Sequence, residues 1–183
     1  MNFKTNEEKF NMDLNHITTI FFDVDGIFTD GSIYLSDNEV TTTKFNVHDG
    51  LGCTLLKEAG LELVILTARY SDAVIKRFKD LGINKIYTKV LKKRDFIREY
   101  SKSNNLAKKE LAMMGDDLQD LAAINDVGVF FTTPNAIDIV KNSACLITKR
   151  LGGNGAVREI CDLIIRSNGS TPSLEFKRYI KKR

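Results

Sequence analysis

Short, solidly apolar runs punctuate this chain, and between them lie longer stretches where apolar residues return every three or four positions. Residues 17–22, 62–66, 111–114 and 127–131 are runs rich in β-branched, aromatic or other large apolar side chains, as in strands buried on both faces. Two briefer runs, near 85–87 and 145–148, read the same way. The periodic stretches predict helices from Asp49 through Ala59, closed by Gly60, and from a Ser71-Asp72 cap to Leu81, ahead of Gly82. Further helices are predicted over about 92–101, 117–125 and 135–141, and after Gly152-Gly-Asn-Gly155 through Arg166. Residues 32–35 and 40–47 flank Ser36-Asp-Asn-Glu39, a hairpin signal. Strand and helix in alternation predict an α/β fold, a Rossmann-like, doubly wound and mostly parallel sheet with helices on both faces. In such sheets ligands bind at the carboxyl ends of the strands, near the switch in strand order.

The organisation expected is a polar lead-in over residues 1–16, one domain over 17–168 and a basic tail over 169–183. The hairpin, about 32–47, would project beyond the sheet, and its apolar residues need cover, so self-association is expected. Formal charge is +3, but residues 175–183 hold Lys177, Arg178, Lys181, Lys182 and Arg183 against Glu175 alone, leaving 1–174 at −1. The basic balance therefore belongs to the tail and does not argue for nucleic-acid binding by the body. The tail reads as a solvated end or as an arm reaching a neighbouring subunit or an anion. Cys53, Cys145 and Cys161 are odd in number and widely spaced, as for reduced thiols. The first sixteen residues lack the apolar core of a signal peptide, and no stretch is long and apolar enough to span a membrane. A cytoplasmic protein is expected.

Polar chemistry gathers at the strand ends. The run 17–22 stops on Asp23 and Asp25, with Gly26 free to turn sharply. Two carboxylates at the mouth of a buried strand repel and are costly to desolvate unless a cation or proton lies between them. Thr67 follows another strand, Asp116 a third, and Lys93 comes a few residues after a fourth. Such an arrangement predicts a site at the carboxyl edge of the sheet.

These residues resemble a known set. Asp23-Val-Asp25-Gly26-Ile-Phe-Thr29-Asp30-Gly31 is similar to the first signature of the haloacid dehalogenase (HAD) phosphohydrolase superfamily. Thr67, Lys93 and Gly115-Asp116-Asp117-Leu-Gln-Asp120 resemble the other three, in the same order. With Phe45-Asn-Val-His-Asp-Gly50 and Gly152-Gly-Asn-Gly-Ala-Val-Arg-Glu159, the chain looks most like the small cap-less branch that includes 3-deoxy-D-manno-octulosonate 8-phosphate phosphatase. No insertion between the motifs is large enough for a lid domain, so the projecting hairpin takes the place of the cap. An unroofed site would be open to water unless another subunit covered it.

The resemblance implies a Mg²⁺-dependent phosphatase with Asp23 as nucleophile, forming an aspartyl-phosphate, and Asp25 as general acid and base. Mg²⁺ would be held by Asp23, the backbone carbonyl of Asp25 and Asp116, while Asp117 or Asp120 would hold metal-bound water or orient the lysine. Thr67 would bind the phosphoryl group and Lys93 balance its charge, with Lys92 an adjacent rival. Gly26, Thr29, Asp30, Ala68, Arg69 and Arg158 are the substrate-binding candidates. Arg69 would grip a substrate carboxylate, and Arg158 would bind an anion or make a salt bridge at a helix start. His48 reads as a polar residue at the base of the hairpin. The substrate implied is a phosphorylated keto-sugar acid, first 3-deoxy-D-manno-octulosonate 8-phosphate in lipopolysaccharide precursor synthesis, otherwise a nonulosonate 9-phosphate. The assembly implied is a homotetramer. A phospho-accepting signalling module and a non-catalytic oligomerisation domain are the rival classes, and the order of the acidic motifs favours the hydrolase.

Overall fold

The computed structural model describes residues 14–35, 37 and 41–182. Residues 1–13 of the lead-in expected over 1–16, and most of the hairpin tip, lie outside the described residues. Among the described residues eight strands form: β1 (Thr19–Phe22), β2 (Tyr34–Leu35), β3 (Thr41–Thr42), β4 (Glu62–Leu66), β5 (Ile86–Tyr87), β6 (Leu111–Met114), β7 (Val129–Thr132) and β8 (Leu146–Ile147). The same residues form seven α-helices: α1 (Val47–Glu58), α2 (Asp72–Asp80), α3 (Lys93–Ser103), α4 (Leu118–Leu121), α5 (Asp138–Ser143), α6 (Ala156–Ser167) and α7 (Pro172–Lys181).

Six strands make one parallel sheet in the order β5-β4-β1-β6-β7-β8. The chain winds outward from β1 through β4 to β5, then returns to the other side of β1 with β6. The strand order therefore reverses at β1, the strand that ends on Asp23. Phe22 lies in register with Ile65 on one side and Met114 on the other, so Asp23 emerges level with the ends of both neighbours. The pairing continues one step further, because the Asp23 N–H donates to the Met114 carbonyl at 2.9 Å.

Alternate side chains of the strands go to opposite faces. Ile20, Phe22, Leu63, Ile65, Ala112 and Met114 pack with α1, α2 and α6, whereas Phe21, Val64, Leu66, Leu111 and Met113 pack with α3 and the segment carrying α5. Both layers are dry, which is why the strands read as unbroken apolar runs.

Several boundaries differ from expectation. α1 starts at Val47, because the Asn46 side chain accepts the His48 N–H and caps it, so His48 lies in the first helical turn and not at a hairpin base. β2 and β3 are two residues each and form a separate antiparallel pair, leaving residues 43–46 outside any strand. The expected helix 117–125 is broken into α4 and a 3-10 turn, Ile124–Asp126. Residues 172–181 form a helix where the sequence reading had a tail: Thr171 caps it through the Leu174 N–H, Pro172 is preset for the first position, and α7 packs on α1 and α6. Cys53 and Cys161 are buried and Cys145 is exposed, all as free thiols.

Candidate active site

The turn after β1 is built around two carbonyl and hydroxyl acceptors. The Val24 carbonyl accepts from the N–H groups of Ile27, Phe28 and Thr29, and the buried Thr29 Oγ1 accepts from Gly26 and Gly31, both at 3.2 Å. Gly26 sits at φ +77°, and a Cβ there would lie 1.9 Å from Asp116 Oδ2, so both conformation and space require glycine. Thr29 thus shapes the loop. Asp30 lies at the hairpin base, where it accepts the Ser32 N–H and pairs with Lys44 at 3.3 Å; the Ser32 bond leads in holding its carboxyl below the usual range.

Lys93 opens α3, and its side chain is buried while its rival Lys92 is exposed. Its ammonium bridges Asp23 Oδ1 at 2.6 Å and Asp120 Oδ1 at 2.5 Å. Asp120 Oδ2 accepts the N–H groups of Asp116 and Asp117 at 3.0 and 3.2 Å, tying the loop after β6 to the same lysine. Asp117 is exposed and caps α4 through the Leu118 N–H at 2.7 Å. Of the two carboxylates the sequence left open for the lysine, Asp120 therefore holds it.

Three carboxyls gather here, two of them paired with this one ammonium. Oxygens of Asp23, Asp116 and Asp120 lie within 4.8 Å of one another. Burial, then repulsion from Asp120, raises the Asp23 pKa to about 8 against the pull of Lys93. Burial, then Asp120 and Asp117, raises Asp116 to about 7. Burial would pull Lys93 down, but Asp23 and Asp120 more than offset it and hold the ammonium charged. The cluster carries more negative charge than its own lysine neutralises.

Thr67 ends β4 buried, its hydroxyl accepting the Arg69 N–H at 3.1 Å. Ala68 is half-buried beside it. Arg69 is exposed and its Nη1 lies 3.4 Å from Asp25 Oδ1, a solvated pair at the rim. Arg158 is placed differently. It pairs with Asp162 at 2.7 Å and lines a cavity of about 520 Å³ with His48, Lys149 and Arg150, which none of the converging carboxyls reaches.

Residues 82–160 match the family model described as haloacid dehalogenase-like hydrolase. The 3-deoxy-D-manno-octulosonate 8-phosphate phosphatase KdsC of Haemophilus influenzae is 32% identical over 158 residues, 86% of this chain and 88% of that one. The KdsC of Escherichia coli K12 is 32% identical over 84% of this chain and 82% of its own. The chain belongs to the KdsC family. Among solved members, the phosphatase of Moraxella catarrhalis, in complex with magnesium ion, phosphate ion and KDO, superposes with a TM-score of 0.86 at 34% identity, covering 97% of this chain and 99% of that one. The cobalt-bound Haemophilus influenzae enzyme gives 0.82 at 32% identity over 86% and 92% of the two chains.

As expected of a KdsC-type centre, the donor set here fits a hard divalent cation: all ligands are carboxylate oxygens, and two of the acids are raised by burial first and by the neighbouring carboxylates second. Two supports escaped the sequence reading. Asn135 donates to the Gly26 carbonyl at 3.2 Å and accepts the Gly152 N–H at 2.8 Å, clamping the first motif to the glycine-rich loop. A Cβ on Gly152 would lie 1.7 Å from the Gly26 carbonyl oxygen, so the clamp needs glycine there. Asp49, buried, accepts the N–H groups of Gly155 and Arg158 and so caps α6 from α1. A polar residue just past β7, Asn135, was the available signal for the first; Asp49 had already been assigned to starting its own helix.

Proposed function

We propose that this protein is a Mg²⁺-dependent phosphatase acting on 3-deoxy-D-manno-octulosonate 8-phosphate, releasing the free sugar acid and phosphate in lipopolysaccharide precursor synthesis. The observation that carries the reading is the convergence of Asp23, Asp116 and Asp120 around Lys93 at the strand-order reversal. Asp23 and Asp116, with the Asp25 carbonyl, would hold the ion. Bound there, Mg²⁺ supplies positive charge that offsets the phosphate dianion and the excess carboxylate charge.

Asp23 attacks phosphorus in line with the leaving sugar oxygen, and the P–O bond to the sugar breaks as an aspartyl-phosphate forms. Asp25 gives its proton to that oxygen, then takes one from the water that hydrolyses the acyl phosphate. Its position at the rim, beside exposed Arg69, suits a group that must reach leaving group and water in turn. Lys93 balances charge on Asp23 and the phosphoryl oxygens, with Asp120 holding it in place. The Thr67 hydroxyl, turned into the site end of β4, donates to a phosphoryl oxygen. Arg69 favours a substrate bearing a carboxylate.

Among the described residues nothing roofs the site, and Ile33, Tyr34, Leu35 and Val47 expose apolar surface on and beside the hairpin. Copies of the chain joined through this surface, as a tetramer, would cover both. No helix among the described residues is long and apolar enough to cross a membrane, and the reading places the enzyme in the cytoplasm. The deciding experiment is Mg²⁺-dependent phosphate release from 3-deoxy-D-manno-octulosonate 8-phosphate set against a nonulosonate 9-phosphate. Preference for the second would overturn the substrate, and no release from either would overturn the activity. Light scattering that found only monomer at full activity would overturn the assembly.

A further inference from the structure

Lys89 holds a backbone conformation that side chains avoid. Its φ is 61°, in the left-handed region where a Cβ crowds the following carbonyl. The other non-glycine residue there among those described, Asn105 at φ 52°, follows the end of α3 and is of a type that tolerates it. Strain of this kind persists only where neighbours enforce it, and it gathers where ligands are clamped.

The neighbours are those of the site. Thr67 donates its N–H to the Tyr87 carbonyl, and the Val90 N–H donates to the Thr67 carbonyl, both at 3.0 Å. The strained residue is therefore laced to the strand end that carries the phosphoryl-binding hydroxyl. The charges at this mouth are unevenly engaged. Lys93 is taken up by Asp23 and Asp120, and Arg69 leans on Asp25. Lys89 is exposed and, among the described residues, pairs with no carboxylate; its ammonium rests over the Tyr70 ring, 5.2 Å from the centroid. The Tyr70 hydroxyl donates to Asp72 at 2.7 Å, which steadies the ring and takes up the nearby acid. A cation seated on an aromatic face is partly stripped of water and has its anion-facing side open.

We propose that Lys89, seated on Tyr70, contacts the carboxylate of the sugar-acid substrate and sets the preference for acidic over neutral phosphate esters. This rests on the sugar-acid phosphatase reading and adds to Arg69 a second, strained cation. With its backbone left-handed, Lys89 lays its ammonium over the ring of residue 70.

The test compares kcat/KM for 3-deoxy-D-manno-octulosonate 8-phosphate and 6-phosphogluconate with that for glucose 6-phosphate and p-nitrophenyl phosphate. Lys89→Met is expected to lower kcat/KM for the two acids about tenfold, through KM, and to leave the neutral esters unchanged. Lys89→Arg should retain the preference. Lys89→Gly should lose it while melting at a higher temperature, since glycine accepts the conformation without strain; selectivity lost from a more stable protein excludes misfolding. Equal loss on acidic and neutral esters, or no loss on either, overturns the proposal. Should the wild type hydrolyse none of the four, the phosphatase reading fails separately. Calorimetric binding of 3-deoxy-D-manno-octulosonate, weakened about tenfold by Lys89→Met or unchanged by it, then decides the role of Lys89.

Discussion

Two lysine–carboxylate clusters sit at opposite ends of the same sheet. At the amino edge, Lys85 pairs with Glu62 at 2.5 Å, and Tyr100 donates to the other Glu62 oxygen while accepting from Lys85 at 2.7 Å. One cation meets one anion, and the hydroxyl completes the set. Burial would raise Glu62, but Lys85 and Tyr100 outweigh it and leave the carboxyl below its usual range. Burial and the Glu62 bond push the Tyr100 hydroxyl up to about 12. At the carboxyl edge, Lys93 meets Asp23 and Asp120 with Asp116 close by, and two of the acids are raised. The first cluster is settled. The second is short of positive charge, and a fold tolerates that where an incoming cation and phosphoryl group complete the balance.

The contrast can be broken most directly at Asp23. Asp23→Asn should lower phosphate release by about four orders of magnitude or more, as loss of a nucleophile does. It should also leave the melting temperature equal or higher, because it removes one excess carboxylate. Substantial residual turnover would refute the nucleophile assignment. Asp25→Asn should slow formation and hydrolysis of the aspartyl-phosphate alike, by about 10²–10⁴-fold, read by single-turnover kinetics.

Truncating the two lysines sharpens the comparison. Lys93→Met should destabilise the metal-free protein by about 3 kcal/mol near neutral pH, since it strands buried carboxylates. Lys85→Met acts on a pair more than a third exposed and should cost less than about 1 kcal/mol, with turnover unchanged. Equal losses in denaturant melts would show that the clusters do not differ.

The smallest effect is in pH. The folded-state pKa values of Asp23 and Asp116 are raised from 3.8 to about 8 and about 7, so the folded protein binds those protons more tightly than the unfolded chain. Their contribution to stability is full below the unfolded value and is lost as pH rises through 7 and 8. Glu62 runs the other way, stabilising above its ordinary 4.5 and losing that as pH falls through its lowered value. The metal-free melting temperature should therefore decline between about pH 5 and pH 8 and level off above that, and saturating Mg²⁺ should flatten that decline. Glu62→Gln should leave the alkaline limb as it is. An alkaline decline identical with and without Mg²⁺ would contradict the account.

The core strands were legible because each is dry on both faces and so leaves an unbroken apolar run, as at 17–22 and 111–114. α7 was not, because its basic residues dominate the composition while Thr171-Pro172, which starts it, is a short signal. Within the site, Asp23, Asp116 and Thr67 could be named from motif order, and the lysine placed to within one residue. The choice of Lys93 over Lys92 could not, since adjacent residues on a helix point about 100° apart and only packing decides which is buried. Asp120 over Asp117 is the same problem three residues apart, resolved by one carboxylate capping α4 while the other turns inward. Arg158 was left open between an anion and a salt bridge near its helix start, and tertiary structure gives the salt bridge, to Asp162, with the residue also lining a separate cavity.

The amino-acid sequence by itself determined the alternation of strand and helix in this protein, the strand that ends on Asp23 and the order of its acidic motifs, because these follow from local hydrophobic period and turn chemistry. Only the tertiary structure decided which of the neighbouring acids and lysines share charge, that Asn135 and Asp49 lock distant loops together, and that Lys89 is strained. Those depend on approach between residues far apart in the chain, and distance in space sets both the electrostatics and the sterics that no local pattern records.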